Sequence, residues 1–351
     1  MRMAQIAPLI ESVPPKLYGG TERVVSYLTE ALVELGHDVT LFASGDSRTR
    51  ARLVATAPRA LRLDPAVSDP LPHTLLHIER VRQLAAEFDI LHFHVDLVHF
   101  PVFRAVKERT LTTLHGRLDL PDLVPFAHEF RDMPVVSISD AQRAPLPWLH
   151  WVATVAHGLP RDLLAFQPKP EGYLAFLGRI SPEKGPDKAI RIARRLGLPL
   201  RIAAKVDRAD RDYYETVIRP MLREPGIEFI GEIAEHEKSQ FLGGAVAMLF
   251  PVDWPEPFGL VMIEAMACGT PTVALRRGSV PEVLEDGLTG CIVESEAEAT
   301  AAVERAAQLD RLQIRRRFEQ RFTAERMARD YLAVYSRQLA SEHNGCLEQA
   351  A

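Results

Sequence analysis

Two stretches of this sequence force the same kind of architecture. Residues 3–8 read as a short buried strand, Tyr18-Gly19-Gly20-Thr21-Glu22 as a loop, and Val24, Val25, Leu28, Ala31, Leu32 and Leu35 recur at helical spacing with Gly36 as the stop. Strand, glycine loop and helix in succession open a nucleotide-binding α/β unit. A second α/β pattern restarts at Tyr173-Leu174-Ala175-Phe176-Leu177, beyond the short polar and proline-rich Gln167-Pro168-Lys169-Pro170-Glu171-Gly172. The boundary falls there, with one domain over 1–168 and a second over 169–322. The chain, at 351 residues and 47% hydrophobic, is long and apolar enough for two cores. The first loop lacks the Gly-x-Gly-x-x-Gly spacing, which argues against a dinucleotide.

Charge excludes one class of partner. Residues 1–170 hold 18 basic and 19 acidic side chains and residues 171–351 hold 24 and 28, so neither half has the basic excess of a nucleic-acid binder. Cys268, Cys291 and Cys346 fall in no metal or redox spacing, and are expected as free thiols in a reducing compartment. The start, Met1-Arg2-Met3-Ala4, does not read as a signal peptide, and no apolar stretch is long enough to span a bilayer. The expectation is a cytoplasmic protein. Arg315-Arg316-Arg317 reads as a solvated helix face, with contact to an anionic membrane surface as the second reading.

The chemistry centres on Glu256-Pro257-Phe258-Gly259-Leu260-Val261-Met262-Ile263-Glu264. Pro257 suits a first helical position and Gly269 followed by Pro271 a stop, which predicts a helix over 257–268. The N–H groups of Phe258, Gly259 and Leu260 are then without intrahelical partners, at the positive end of the helix dipole, where a phosphate fits. Glu256 and Glu264 lie about 12 Å apart along such a helix, and carboxylates there are acceptors for sugar hydroxyls on either side of the phosphate.

Other candidates sit at strand ends. Leu111–His115 runs to a His-Gly pair, and ligands of open α/β sheets gather at carboxyl ends of strands, which selects His115. Alternation in Leu91–Asp96 puts His92, His94 and Asp96 on one face. They read as polar groups bonded to neighbouring loops in preference to a metal site. Arg179 supplies a planar fork for phosphate oxygens and Lys184 a mobile charge. Lys205 is either a further phosphate contact or a solvated lysine. Asp210-Arg211-Asp212 reads as a solvated helix start, residues 47–72 as irregular and 74–87 as helical.

The Gly19-Gly20 loop, the segment Gly178–Gly185 and the paired glutamates, in that order, resemble retaining glycosyltransferases with the GT-B fold, specifically family four (glycosyl transferases group 1). The resemblance covers nearly the whole chain. It implies two Rossmann-like α/β domains facing across a cleft, and a C-terminal helix, 323–340, packing back on the acceptor-side first domain; residues 341–351 are expected as a flexible tail. It implies a nucleotide-diphosphate sugar as donor, a UDP-sugar ahead of a GDP-sugar, bound mainly by the second domain without metal or other cofactor. Gly19 and Gly20 then approach the donor diphosphate and sugar, His115 contacts the sugar, Arg179 and Lys184 neutralise the leaving diphosphate, and the loop at Ile233 holds the base through backbone groups. Glu264 takes the ribose and Glu256 the transferred sugar. Two departures stand out: His157-Gly158 occupies the place of a usual Asn-Gly, and Ala204-Lys205-Val206 that of a glycine-rich loop. The acceptor, whether small metabolite, lipid or glycan, is unassigned. A nucleotide-sugar epimerase and a non-catalytic nucleotide-sugar binder are the alternatives.

Overall fold

The computed structural model describes residues 1–17, 19–62 and 64–349, with the backbone alone for 341–349. Tyr18 of the expected glycine loop lies outside the described residues, as do Ala350 and Ala351 of the expected tail. The chain divides into two compact units, Met1–Gly158 with Ala324–Ala351, and Leu159–Thr323. The second unit therefore begins ahead of the proline-rich stretch at 167–172.

In the first unit β1 (Arg2–Ile6), β2 (Asp38–Ser44), β3 (Arg52–Ala57), β4 (Ile90–Phe93), β5 (Thr110–Thr113), β6 (Pro134–Ser137) and β7 (His150–Thr154) form a sheet in the order β3-β2-β1-β4-β5-β6-β7. Every ladder in it is parallel. A parallel sheet needs cover on both faces, and the run Met3–Ile6 is buried throughout. Helices α1 (Gly20–Glu34) and α2 (Leu71–Leu84) are among those on its faces. β3 lies within the stretch expected to be irregular. It is a half-exposed sheet-edge strand whose short apolar run, Leu53-Val54-Ala55, is set among arginines and prolines and so gives little strand signal.

The second unit repeats the plan. β8 (Tyr173–Arg179), β9 (Leu200–Lys205), β10 (Ile227–Gly231), β11 (Ala245–Phe250), β12 (Thr272–Leu275) and β13 (Gly290–Val293) pair in parallel in the order β10-β9-β8-β11-β12-β13. Helix α3 (Pro186–Leu196) follows β8; Pro186 starts it, and Gly197 in the left-handed region ends it by donating to Ala193 and Arg194 carbonyls. Its Ala189, Ile190, Ile192 and Ala193 join Leu174, Ile202 and Leu249 in the core. Helices α4 (Leu260–Cys268), α5 (Glu296–Ala306) and α6 (Arg311–Arg321) follow.

Helix α4 corrects the expected span of 257–268. It starts at Leu260 because Gly259, at φ 77°, turns the chain through the left-handed region and serves as the cap. Gly269, at φ 79°, ends it as expected. Glu256 thus lies in the loop before the helix, and the axial spacing to Glu264 does not apply.

The last helix, α7 (Ala324–Gln349), belongs to the first unit, where Tyr331 and Tyr335 are fully buried. The stretch from 341, expected as a loose tail, is helical backbone as far as Gln349. Cys268 and Cys291 are free and buried. Among the described residues no helix is long and apolar enough to cross a membrane.

Candidate active site

Each sheet changes winding direction once, between β1 and β4 and between β8 and β11, and crevices open at the carboxyl ends of such strand pairs. In the second unit both ends carry candidate residues. Arg179 closes β8 and the chain turns through Ser181–Lys184 into Gly185. Gly185 has φ 68°, and a Cβ there would stand 2.5 Å from the Pro251 carbonyl oxygen just past β11. Only glycine permits that approach. The Asp253 N–H donates to the Glu183 carbonyl at 2.9 Å, so the two loops are tied.

This contact brings Lys184 onto Glu256. The Lys184 ammonium donates to Glu256 Oε2, and Trp254 Nε1–H donates to the same oxygen at 2.9 Å. The Lys184 nitrogen also stands 5.1 Å from the Trp254 ring centre. Neither bond engages Oε1. The loop before α4 is held by Ser279, whose N–H donates to the Glu256 carbonyl at 2.9 Å and whose hydroxyl donates to that of Phe258 at 3.0 Å. Phe258 is buried with its ring edge-on to Phe322. Because α4 starts late, the N–H groups at its end are those of Leu260 and Val261 in place of Phe258, Gly259 and Leu260.

Arg179 and Lys205 meet a setting that the sequence reading missed. Arg179 pairs with Glu183 and stands 3.8 Å from Asp207 and 3.5 Å from Asp210; Lys205 binds Asp207 at 2.5 Å. Two cations share three carboxylates. Burial, with Asp207 and Glu183 nearby, raises the Asp210 carboxyl above its ordinary range against the pull of Arg179. Asp210 is thus part of this cluster and not a solvated helix start.

Glu264, 2% exposed, accepts from Lys238 at 2.7 Å, while Lys238 also stands 3.2 Å from Glu235. Nothing in the local sequence marked Lys238. Ile233 is half-buried in the loop after β10.

In the first unit Gly19 precedes α1 and a Cβ on it would meet the Pro15 Cβ at 2.8 Å; Gly20 is the first residue of the helix. His115 follows β5. Its Nε2 is 2.9 Å from His94 Nδ1, and its ring stacks on His157 at 5.2 Å. Burial pushes the His115 imidazole down to about 3 and holds His92, His94 and His157 well below the usual range. All four are neutral at physiological pH. His92 bonds to Tyr335 on α7 and Thr113 on β5, while His94 bonds to Gln5 on β1 and, as expected of a neighbouring loop, to His115 just past β5.

The chain matches two family models, "Glycosyltransferase Family 4" over residues 18–170 and "Glycosyl transferases group 1" over 165–323. It is 28% identical over 211 residues to the D-inositol 3-phosphate glycosyltransferase of Mycolicibacterium smegmatis, covering 55% of this chain and 45% of that protein. It is 30% identical over 190 residues to the same-named Mycobacterium tuberculosis protein, covering 53% and 35%. The matched part is thus less than half of these relatives' length. The fold resembles a glycosyltransferase involved in avilamycin A biosynthesis, with TM-score 0.73, 24% identity and coverage of 97% and 98%. It also resembles Anabaena HepE in complex with UDP and glucose, with TM-score 0.74, 17% identity and coverage of 96% and 99%.

Proposed function

The chain belongs to glycosyltransferase family 4 and has its GT-B fold, and from that footing we propose that it is a retaining, metal-independent hexosyltransferase using a UDP-sugar ahead of a GDP-sugar. The observation that carries the reading is the Lys184–Glu256–Trp254 cluster at the switch point of the second sheet, beside the start of α4. Lys184, Arg179, Lys205 and the N–H groups of Leu260 and Val261 supply positive charge to a diphosphate as it departs, without a metal ion. To bind phosphate, Arg179 and Lys205 exchange part of their carboxylate contacts for phosphate oxygens.

Glu256 Oε1, uncommitted to Lys184 or Trp254, accepts from the transferred sugar and offsets positive charge on it. Glu264 accepts from ribose hydroxyls while Lys238 pairs with its carboxylate. Gly19 and Gly20 admit donor atoms close to backbone, the loop at Ile233 takes the base, and His115 takes a hydroxyl of the sugar. Retention rests on family membership, and the leaving phosphate takes the proton of the acceptor hydroxyl. UDP and UDP-glucose complexes of HepE support the choice of donor.

The test is a panel of UDP-, GDP- and ADP-sugars without metal, scored for thermal stabilisation and nucleoside diphosphate release. A true donor stabilises the fold by about 2.7 kcal/mol at a hundredfold excess over Kd, even without acceptor. Absence of any shift with all donors and with free nucleotides would refute the reading.

A further inference from the structure

Buried polar side chains in the first unit form a hydrogen-bonded chain ending at His115, and the reaction above assigns no work to any member but His115. Gln5 on β1 donates from Nε2 to the Tyr335 hydroxyl at 3.1 Å, and its carbonyl Oε1 lies 2.9 Å from His94 Nε2. A carbonyl only accepts, so His94 carries its proton on Nε2. Burial keeps His94 neutral, so its Nδ1 is a lone pair and accepts from His115 Nε2 at 2.9 Å. His115 is neutral too, which leaves its Nδ1 bare. That nitrogen is shielded from solvent and has no hydrogen-bond partner among the described residues. A buried acceptor without a donor is costly, and a ligand hydroxyl removes that cost.

The opposite end of the chain agrees. Having accepted from Gln5, Tyr335 donates its O–H to His92 Nδ1 at 2.7 Å. His92 Nε2–H then donates to the Thr113 hydroxyl at 2.8 Å, which pairs with Tyr331 at 2.8 Å. Turning the Gln5 amide over reverses every link and gives His115 an N–H at Nδ1. Two polarities exist, and the position of Oε1 selects one.

We propose that Gln5 and His94 are positioning residues that fix the tautomer of His115, so that its Nδ1 accepts from a hydroxyl of the transferred sugar. The assignment rests on the glycosyltransferase reading above. An imidazole set this way favours a group with a proton to give, a sugar hydroxyl, over a phosphate or carboxylate oxygen, which has none.

Imidazole nitrogen spectra of the histidine-labelled protein test the tautomer directly, with His94 and His115 assigned through His94→Gln and His115→Gln. Both rings are expected with the proton on Nε2 and a bare Nδ1; a proton on His115 Nδ1 overturns the proposal. Activity supplies a second reading, with UDP-glucose as the donor and UDP release as the signal. Gln5→Met fills the space without an acceptor, and is expected to lower kcat/KM about tenfold with UDP affinity unchanged. Gln5→Glu keeps an acceptor toward His94, and is expected within about threefold of the parent. A purely packing role predicts the reverse ranking, Met above Glu, and that result refutes the proposal. Failure of the parent to bind or release UDP from UDP-glucose counts against the transferase reading, while the tautomer spectrum still decides the chain.

Discussion

Acidification should unfold the first unit before the second. His77, His92, His94, His99, His115 and His157 all lie in the first unit, and burial holds each below the ordinary histidine range, His77 at about 4 and His115 at about 3. In the unfolded chain each titrates near 6.5. Between that value and the depressed folded value the unfolded state binds protons that the folded state refuses, so stability is full above about pH 6.5 and is lost as pH falls. Each group removes roughly 1 kcal/mol by about pH 5.5–6. Six together remove several kcal/mol, a large part of the ~5–15 of a whole domain. Glu22 and Asp96, whose carboxyls burial raises, act in the opposite sense, but they are two against six. The second unit holds His236 as its single histidine in sequence. Hydrogen exchange resolved by peptide, corrected for intrinsic rates at pH 7.5 and 5.5, checks this. The first unit's strands should lose protection over that interval and those of the second should keep theirs. Equal loss in both units, or none, refutes the reasoning.

Three further outcomes follow from the site geometry. Lys238→Met leaves the Glu264 carboxylate buried without its partner and should cost about 3–5 kcal/mol in urea unfolding, whereas the double variant Lys238→Met with Glu264→Gln should recover most of it. Gly259→Ala imposes a strained φ and a Cβ 2.8 Å from the Met262 methyl and 3.0 Å from the Phe250 ring; an increase in unfolding free energy or unchanged UDP binding by calorimetry would contradict an expected loss of about 1–3 kcal/mol. Trp254→Phe keeps a ring over Lys184 but removes the N–H on Glu256 Oε2, and should lower turnover about tenfold with the melting temperature nearly unchanged.

What sequence reasoning recovered and what it missed divide along one physical line. Central strands such as β8 and β11 carry continuous apolar runs because both faces are covered, and Glu256, Glu264, Arg179 and Lys184 sit in short segments whose spacing carries the resemblance. Partners distant in sequence left no local trace. Lys238 lies 26 positions from Glu264, and Tyr335 lies 243 from His92, yet the first is the ion-pair partner of a buried carboxylate and the second fixes the proton position of its neighbour. Alternation placed His92 and His94 on one face correctly, but only the fold shows that β1, β5 and α7 satisfy them. Gly259 sits among helix-forming neighbours, so its left-handed turn, which moves the helix start to Leu260, was read as continuous helix.

The most direct test of the central claim separates nucleotide binding from chemistry at Glu256. UDP affinity by titration calorimetry and turnover of the donor selected by the panel are measured for the parent and for Glu256→Gln, without metal. The proposed role places Glu256 on the transferred sugar, so the UDP Kd should stay within about threefold while turnover falls by about a hundredfold or more. A variant that binds UDP far more weakly and turns over at the parent rate would contradict it, and would move Glu256 from the sugar to the nucleotide.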